Sequence, residues 1–295
     1  CITACGNSQL HFNNNNADNY CGGTDHRIGF DNMIEKIISE ISPVYGFCDF
    51  EPFRDKLINC RAKGRLPDNA KSIIVMLFPY YLGEDKYTDI NISRYAVVKD
   101  YHLAINEAVK SGLQKLRDEY PDEQFVFFTD NSPIPEVQAA LNAGLGVNGK
   151  NRLLINKEYG SWFFISEIVT TMQLPAAEKT ESHCLNCGKC IAACPTHALT
   201  EDGFQKELCL SDITQRKGEL TPEQRELIKK IGCAWGCDIC QTVCPMNRNA
   251  KIKPSEIFLD GIETTARTDN ISDRAYAWRG EKVIKRNLEI IGGKS

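Results

Sequence analysis

Beyond an irregular start, apolar residues settle into helix and strand periods. Ile34, Ile37, Ile38 and Ile41 share one helical face, which predicts a helix. Residues 72–78, Ser-Ile-Ile-Val-Met-Leu-Phe, form an unbroken apolar run of strand length that Pro79 ends, as in a central strand. Ile105, Val109, Leu113 and Leu116 return to helical spacing, and Pro121 separates them from a short apolar run at 125–128, predicting a helix and then a strand. A short helix is expected at 137–145, strands at 153–155 and 162–168, and a last helix at 281–290. Helix and strand thus recur over residues 30–175, the pattern of a layered α/β sheet domain.

Residues 1–29 open on Cys1, run through the Asn-rich stretch 13–16 and are read as an irregular extension outside the fold. Pro175 and the polar residues to Glu181 read as a junction, followed by a cysteine-organised module to residue 250 and a basic tail over 251–295 that packs back on the core. In that module cluster ligation is expected to supply much of the folding energy, because its own apolar content is thin.

Composition narrows the class. The chain has 295 residues, 42% hydrophobic and 25% charged, with a net charge of -4, the balance of a globular protein. No apolar run approaches the length of a membrane span. The acidic balance argues against coating nucleic acid by bulk charge, although a local basic patch could still hold a small RNA. Of 14 cysteines, nine fall between 184 and 244, which points to metal and a reducing cytoplasm, not to a disulfide scaffold.

Cys184-x2-Cys187-x2-Cys190-x3-Cys194-Pro195 has the spacing of bacterial ferredoxins, in which three thiolates hold one 4Fe-4S cluster and the fourth reaches another. Structural zinc normally uses paired CxxC knuckles instead. The partner run Cys237-x2-Cys240-x3-Cys244-Pro245 supplies Cys244 to the first cluster. Cys194, Cys237 and Cys240 then belong to the second, with Cys209 or Cys233 as its last ligand; Cys209 is preferred because Cys233 would crowd the loop of Cys237. Two such clusters make an electron wire, and a wire alone would be a carrier whose sheet domain only docks partners.

Asp130, in Phe128-Thr-Asp-Asn-Ser-Pro133, follows a strand where sheet enzymes place catalytic groups, although Asp-Asn-Ser-Pro is also an ordinary turn. Gly144-Leu-Gly-Val-Asn-Gly-Lys150 fits neither phosphate-binding glycine pattern and reads as a turn with close backbone approach. His102, His183 and His197 show no metal spacing and read as surface or core residues.

Several ordered blocks then give a family resemblance: Ala70-Lys-Ser-Ile73, Ser93-Arg-Tyr-Ala96 with Asp100-Tyr-His102, Asp130-x-Ser132, Ala143-Gly-Leu-Gly146 with Gly149-Lys150, Gly160-Ser-Trp-Phe-Phe164 and both cysteine runs. Over about residues 70–249 the chain resembles the epoxyqueuosine reductases. That resemblance implies a base-off cobalamin between a cobalamin-binding-type α/β domain and a ferredoxin-like double 4Fe-4S module, a mixed α+β/α/β fold class. It also implies two-electron reduction of epoxyqueuosine in the tRNA anticodon loop, fed by an external low-potential donor. Asp130 falls on the family's proton donor, Ser93, Leu154 and Ile165 fall near its cobalamin contacts, and Cys209 falls on the fourth ligand of the second cluster. The resemblance is to a short form, since the helical repeats of longer members have no counterpart up to Ser295. With the acidic charge, this keeps open a small-molecule substrate of the kind reductive dehalogenases use. Arg248, Lys251, Arg279, Lys282, Lys285 and Arg286 are candidate phosphate contacts or a solvated face.

Overall fold

A computed structural model describes residues 32–178 and 183–292, so the predicted extension over residues 1–29 lies outside the described residues. The first part runs α1 (Asn32–Ile41), β1 (Tyr45–Asp49), β2 (Ser72–Pro79), α2 (Tyr101–Glu119), β3 (Phe125–Thr129), α3 (Glu136–Asn142), β4 (Val147–Asn148), β5 (Leu154–Ile155) and β6 (Phe163–Thr170). The cysteine-rich part adds α4 (Lys189–Ala192), α5 (Leu210–Gln215), α6 (Pro222–Ile231) and α7 (Ile239–Thr242), and α8 (Glu281–Gly292) follows in the tail.

Four strands form one sheet in the order β1-β2-β6-β3, antiparallel at every pairing. Strand β2 explains its apolar run. Ile74, Met76 and Phe78 point into a core with Ile34 and Ile38 of α1 and Ile105 and Val109 of α2. Ile73, Val75 and Leu77 point into a second core with Ala139 and Ala140 of α3. All eight β2 residues are buried, and each large aliphatic side chain so placed contributes about 1.5–3 kcal/mol. A continuous apolar run is commonest in parallel strands; here helices cover both faces of an antiparallel sheet, which makes the same demand on the residues.

Two elements form without an apolar run to announce them. In β1, Tyr-Gly-Phe-Cys-Asp, any Cβ on Gly46 would stand 2.2 Å from the carbonyl oxygen of Ala143, so the end of α3 can cross the strand only over a glycine. Helix α6 is set by its ends, a Thr221–Gln224 capping box with Pro222 in the first turn and Gly232 at φ 71° after the last. Its Ile228 meets Leu210, Ile213 and Ile290 in a small core that also fastens α8. The loop 144–150 is a packed turn. A Cβ on Gly146 would come within 2.5 Å of the Ile155 carbonyl oxygen, and Lys150 pairs with Glu201 at 2.6 Å. Among the described residues no helix is long and apolar enough to cross a membrane.

The tail is tied to the sheet part by a buried cation. Arg274 is 0% exposed, and its guanidinium donates to the carbonyls of Gly261 (2.6 Å), Ala96 (2.8 Å) and Val97 (2.7 Å). Val283 and Ile284 of α8 join the core that contains α1 and α2. Arg274→Met removes the donors and leaves the Gly261 and Ala96 carbonyls unpaired, each costing about 1–3 kcal/mol, while the Val97 carbonyl keeps the Glu263 amide; a clear fall in the thermal midpoint of the cluster-loaded protein is expected, and an unchanged midpoint would show that the tail is held elsewhere.

Candidate active site and cluster loops

The thiols of the cysteine runs fall into two groups. Cys184, Cys187, Cys190 and Cys244 line one recess, and burial together with the neighbouring thiols of Cys244 and Cys184 pushes the Cys190 thiol up. Cys194, Cys209, Cys237 and Cys240 line a separate, larger cleft. Asn151 borders both spaces, and Cys190 is among the charged neighbours of Cys240, so the two groups adjoin. Among the described residues no three His, Cys, Asp or Glu side chains converge tightly enough for a single metal ion; each set of thiols instead surrounds a wider space.

Local backbone differs from one sulfur to the next. Burial opposes charge on Cys194, but the Thr196 hydroxyl and the amides of Leu199, Thr196 and Ala198 turn toward its sulfur and lower it. Cys209 caps α5, where burial raises the thiol while the amides of Asp212 and Ser211 point at the sulfur, the geometry that favours thiolate at a helix start. Cys233 Sγ donates to the carbonyls of Trp235 and Gly236, both at 3.3 Å; burial pushes it up to about 12 against the Trp235 amide, and pushes Cys237 up to about 12 as well.

The cleft lies where the cysteine loops meet the sheet part, and a buried polar network seals that seam. Asp238, between Cys237 and Cys240, accepts from the Ser93 hydroxyl (2.5 Å), the Arg94 amide (2.6 Å) and Gln241 Nε2 (3.3 Å). Ser161 donates to Gln241 Oε1 at 2.9 Å and accepts from Asn247 at 2.9 Å. The Ser93 amide donates to the Trp235 carbonyl at 2.7 Å. A Cβ on Gly236, whose φ is 77°, would come within 2.4 Å of Ser93 Cβ. Leu154 and Ile165 stand on the cleft wall, and Ser93 borders it with its hydroxyl committed to Asp238.

Asp130 borders the same cleft at the end of β3. Asp130 and Asn131 have φ of 50° and 44°, left-handed conformations that are uncommon away from glycine and collect at functional sites. Asp130 Oδ2 accepts from the Tyr101 hydroxyl at 3.0 Å and lies 3.3 Å from His102 Nε2. Asp100, the cap of α2, holds His102 Nδ1 at 2.8 Å. The imidazole is therefore clamped between two carboxylates. Burial works against its charge, yet the bonds to Asp100 and Asp130 push it up to about 9. Asp130 is itself desolvated, but its bond to His102 holds it below the usual carboxylate range. At neutral pH the pair carries one proton, mainly on the imidazole.

His102, read from its lack of metal spacing as a surface or core residue, is half-buried and stands against Asp130. Asp100 could have signalled it, as a cap before a periodic helix that sets 101 and 102 in the first turn. The basic tail is only partly free. Lys251 pairs with Glu158 at 3.1 Å, Arg286 donates to the carbonyls of Arg216 and Gly218, and Arg279 stacks on Trp278, while Arg248, Lys282 and Lys285 are exposed.

Comparison with known proteins agrees with this layout. Residues 62–131 match the family described as epoxyqueuosine reductase QueG, DUF1730, and residues 183–247 match the 4Fe-4S double cluster binding domain. An epoxyqueuosine reductase of Cyclobacterium marinum is 36% identical over 201 residues, 66% of this chain and 64% of that protein. One from Lactococcus garvieae is 32% identical over 260 residues, 80% of this chain and 73% of that protein. The solved epoxyqueuosine reductase of Streptococcus thermophilus superposes with a TM-score of 0.71 at 25% identity, covering 88% of this chain and 80% of that one.

Cys233→Ser is expected to keep about eight irons per chain, and Cys209→Ser to lose iron from the second cluster. Iron analysis and electron paramagnetic resonance after anaerobic reconstitution would check this; the reverse pattern would exchange the two roles.

Proposed function

The chain belongs to the epoxyqueuosine reductase family, and from that premise we propose that it reduces epoxyqueuosine to queuosine in the anticodon loop of tRNA, using two 4Fe-4S clusters and a cobalamin. The observation that carries this reading is one cleft bordered both by four cluster-type thiols and by Asp130. A solved relative, 26% identical with a TM-score of 0.70, holds an epoxyqueuosine-modified tRNA stem loop, which supports tRNA as the substrate. The Bacillus subtilis relative is described with an aspartate-bearing catalytic loop swung out of its active site, which supports Asp130 as catalytic.

The residues suit both cofactors. We assign Cys184, Cys187, Cys190 and Cys244 to one cubane and Cys194, Cys209, Cys237 and Cys240 to the other, on the shared space of each set and the amides turned toward Cys194 and Cys209. The cleft reaches from the second set of thiols to Asp130. Its walls include Leu153, Leu154, Phe163 and Ile165, an apolar surface that would suit the face of a corrin ring. When bound, the clusters would supply single electrons and the cobalamin a strongly reducing centre. An external low-potential donor would serve the outer cluster, where Cys187 is exposed. The division that follows is a cobalamin and substrate domain over 30–175, a cluster module over 176–250 and a tail over 251–295.

The chain's own residues hold the proton. Tyr101 and His102 fix Asp130 Oδ2 from two sides, and as charge grows on the epoxide oxygen the imidazolium proton passes to that carboxylate and on to the oxygen. This acid works only while protonated, so activity is present at neutral pH and lost as pH rises through the His102 value of about 9.

The reconstituted protein with cobalamin and a low-potential reductant should convert an epoxyqueuosine stem loop to queuosine. No turnover with both cofactors loaded would overturn the substrate assignment, and failure to take up corrinoid would favour a plain electron carrier. Asp130→Asn should retain iron and corrinoid yet lose turnover by on the order of 10²–10⁴-fold; a wild-type rate would make the carboxylate merely structural.

A further inference from the structure

Turning an epoxide into an alkene breaks both C–O bonds, forms a C=C bond and releases the oxygen as water, so it consumes two electrons and two protons. The external donor supplies the electrons. The Asp130–His102 pair holds a single proton, so the second comes either from a recharge of that pair or from another acid at the cleft.

Glu136, in the first turn of α3, borders the same cleft as Asp130. Its Oε1 is shut away from solvent with no hydrogen-bond partner, and the Asp130 amide reaches its carboxyl group. Behind it Glu167 of β6 is 0% exposed, with neither carboxyl oxygen paired. Leaving an ionised carboxylate buried and unpaired is costly, so such groups stay protonated. Burial and then the charge of Asp130 push Glu136 up to about 8, and burial followed by Glu136 raises Glu167 well above the carboxylate range. Among the described residues, the groups that face the pair are Asp130, His102, Tyr101, Ser132 and Cys48 of β1, of which His102 acts in the opposite sense on Glu136. Strands β2, β4 and β5, also packed against α3, bring no titratable side chain.

On the reading that this chain reduces an epoxide, we infer that Glu136 delivers the second proton of the reaction, through Asp130, to the oxygen as it departs as water. The first proton, from the Asp130–His102 pair, goes to the epoxide oxygen as the first C–O bond opens. The second moves from the Glu136 carboxyl to the emptied Asp130 carboxylate and from there to the hydroxyl as the second C–O bond breaks. Glu136 then takes a proton from solvent at the open mouth of the cleft, and His102 is recharged through the same carboxylate.

The test is single-turnover reduction of an epoxyqueuosine stem loop by cluster- and corrinoid-loaded protein across pH. The wild-type rate should fall with two ionisations above neutrality, those of Glu136 and His102. Glu136→Gln should keep iron and corrinoid, slow turnover on the order of 10²-fold and retain only the upper ionisation, with part of the rate restored in Glu136→Asp. Infrared spectra of the wild type should show a buried carboxyl group that ionises near pH 8 and is missing from Glu136→Gln; this holds as a test of the wild type alone should the variant not load its cofactors. A wild-type rate and pH profile in Glu136→Gln, or no carboxyl group titrating in that range, would overturn the relay while leaving the functional reading intact. An inactive, fully loaded wild type would overturn both.

Discussion

The buried carboxylate of Asp238 is the constraint on which the cleft depends. It sits between two cysteines of the second run, yet its hydrogen bonds go to Ser93 and Arg94 in the sheet part as well as to Gln241. Arg94 in turn reaches Glu84 and lies over the rings of Tyr87 and Trp162. Removing one member of such a desolvated set typically costs about 3–5 kcal/mol, because its partners stay behind unpaired. The close approach of Gly236 to Ser93 leaves little play in the joint. A loop that presents thiols and a sheet that presents an acid are therefore held as one wall.

On the proposed function, that joint would bring electrons and protons to one place from different parts of the chain. The cysteine loops bring sulfurs to one side, while β3, α2 and α3 bring Asp130, His102 and Glu136 to the other. The sheet supplies rigidity: β2 and β6, buried on both faces, carry the elements that position the acid. Strain at Asp130 and Asn131 is tolerated because Tyr101, His102 and the neighbouring core fix the turn around them.

Much of this was legible in the sequence, for physical reasons that differ from element to element. Helices α1 and α2 and strands β2 and β3 are written in apolar periodicity, since each must bury a definite face. The cysteine grouping is written in spacing, because a cubane fixes how far apart its ligands stand. The antiparallel order of the sheet is not legible, since two-sided burial asks for the same residues in either direction. Nor is β1, whose place depends on the absence of a side chain at Gly46. His102, Glu136 and Asp238 were missed because their importance comes from what tertiary contact places beside them, and a single ionisable residue carries no period.

The central claim is that cluster thiols and the Asp130 acid share one cleft that receives a corrinoid. A crystal structure of anaerobically reconstituted protein soaked with cobalamin would test it most directly. The account predicts a corrinoid between Asp130 and a cubane held by Cys194, Cys209, Cys237 and Cys240. A corrinoid bound elsewhere, or a second cubane ligated by Cys233, would contradict it.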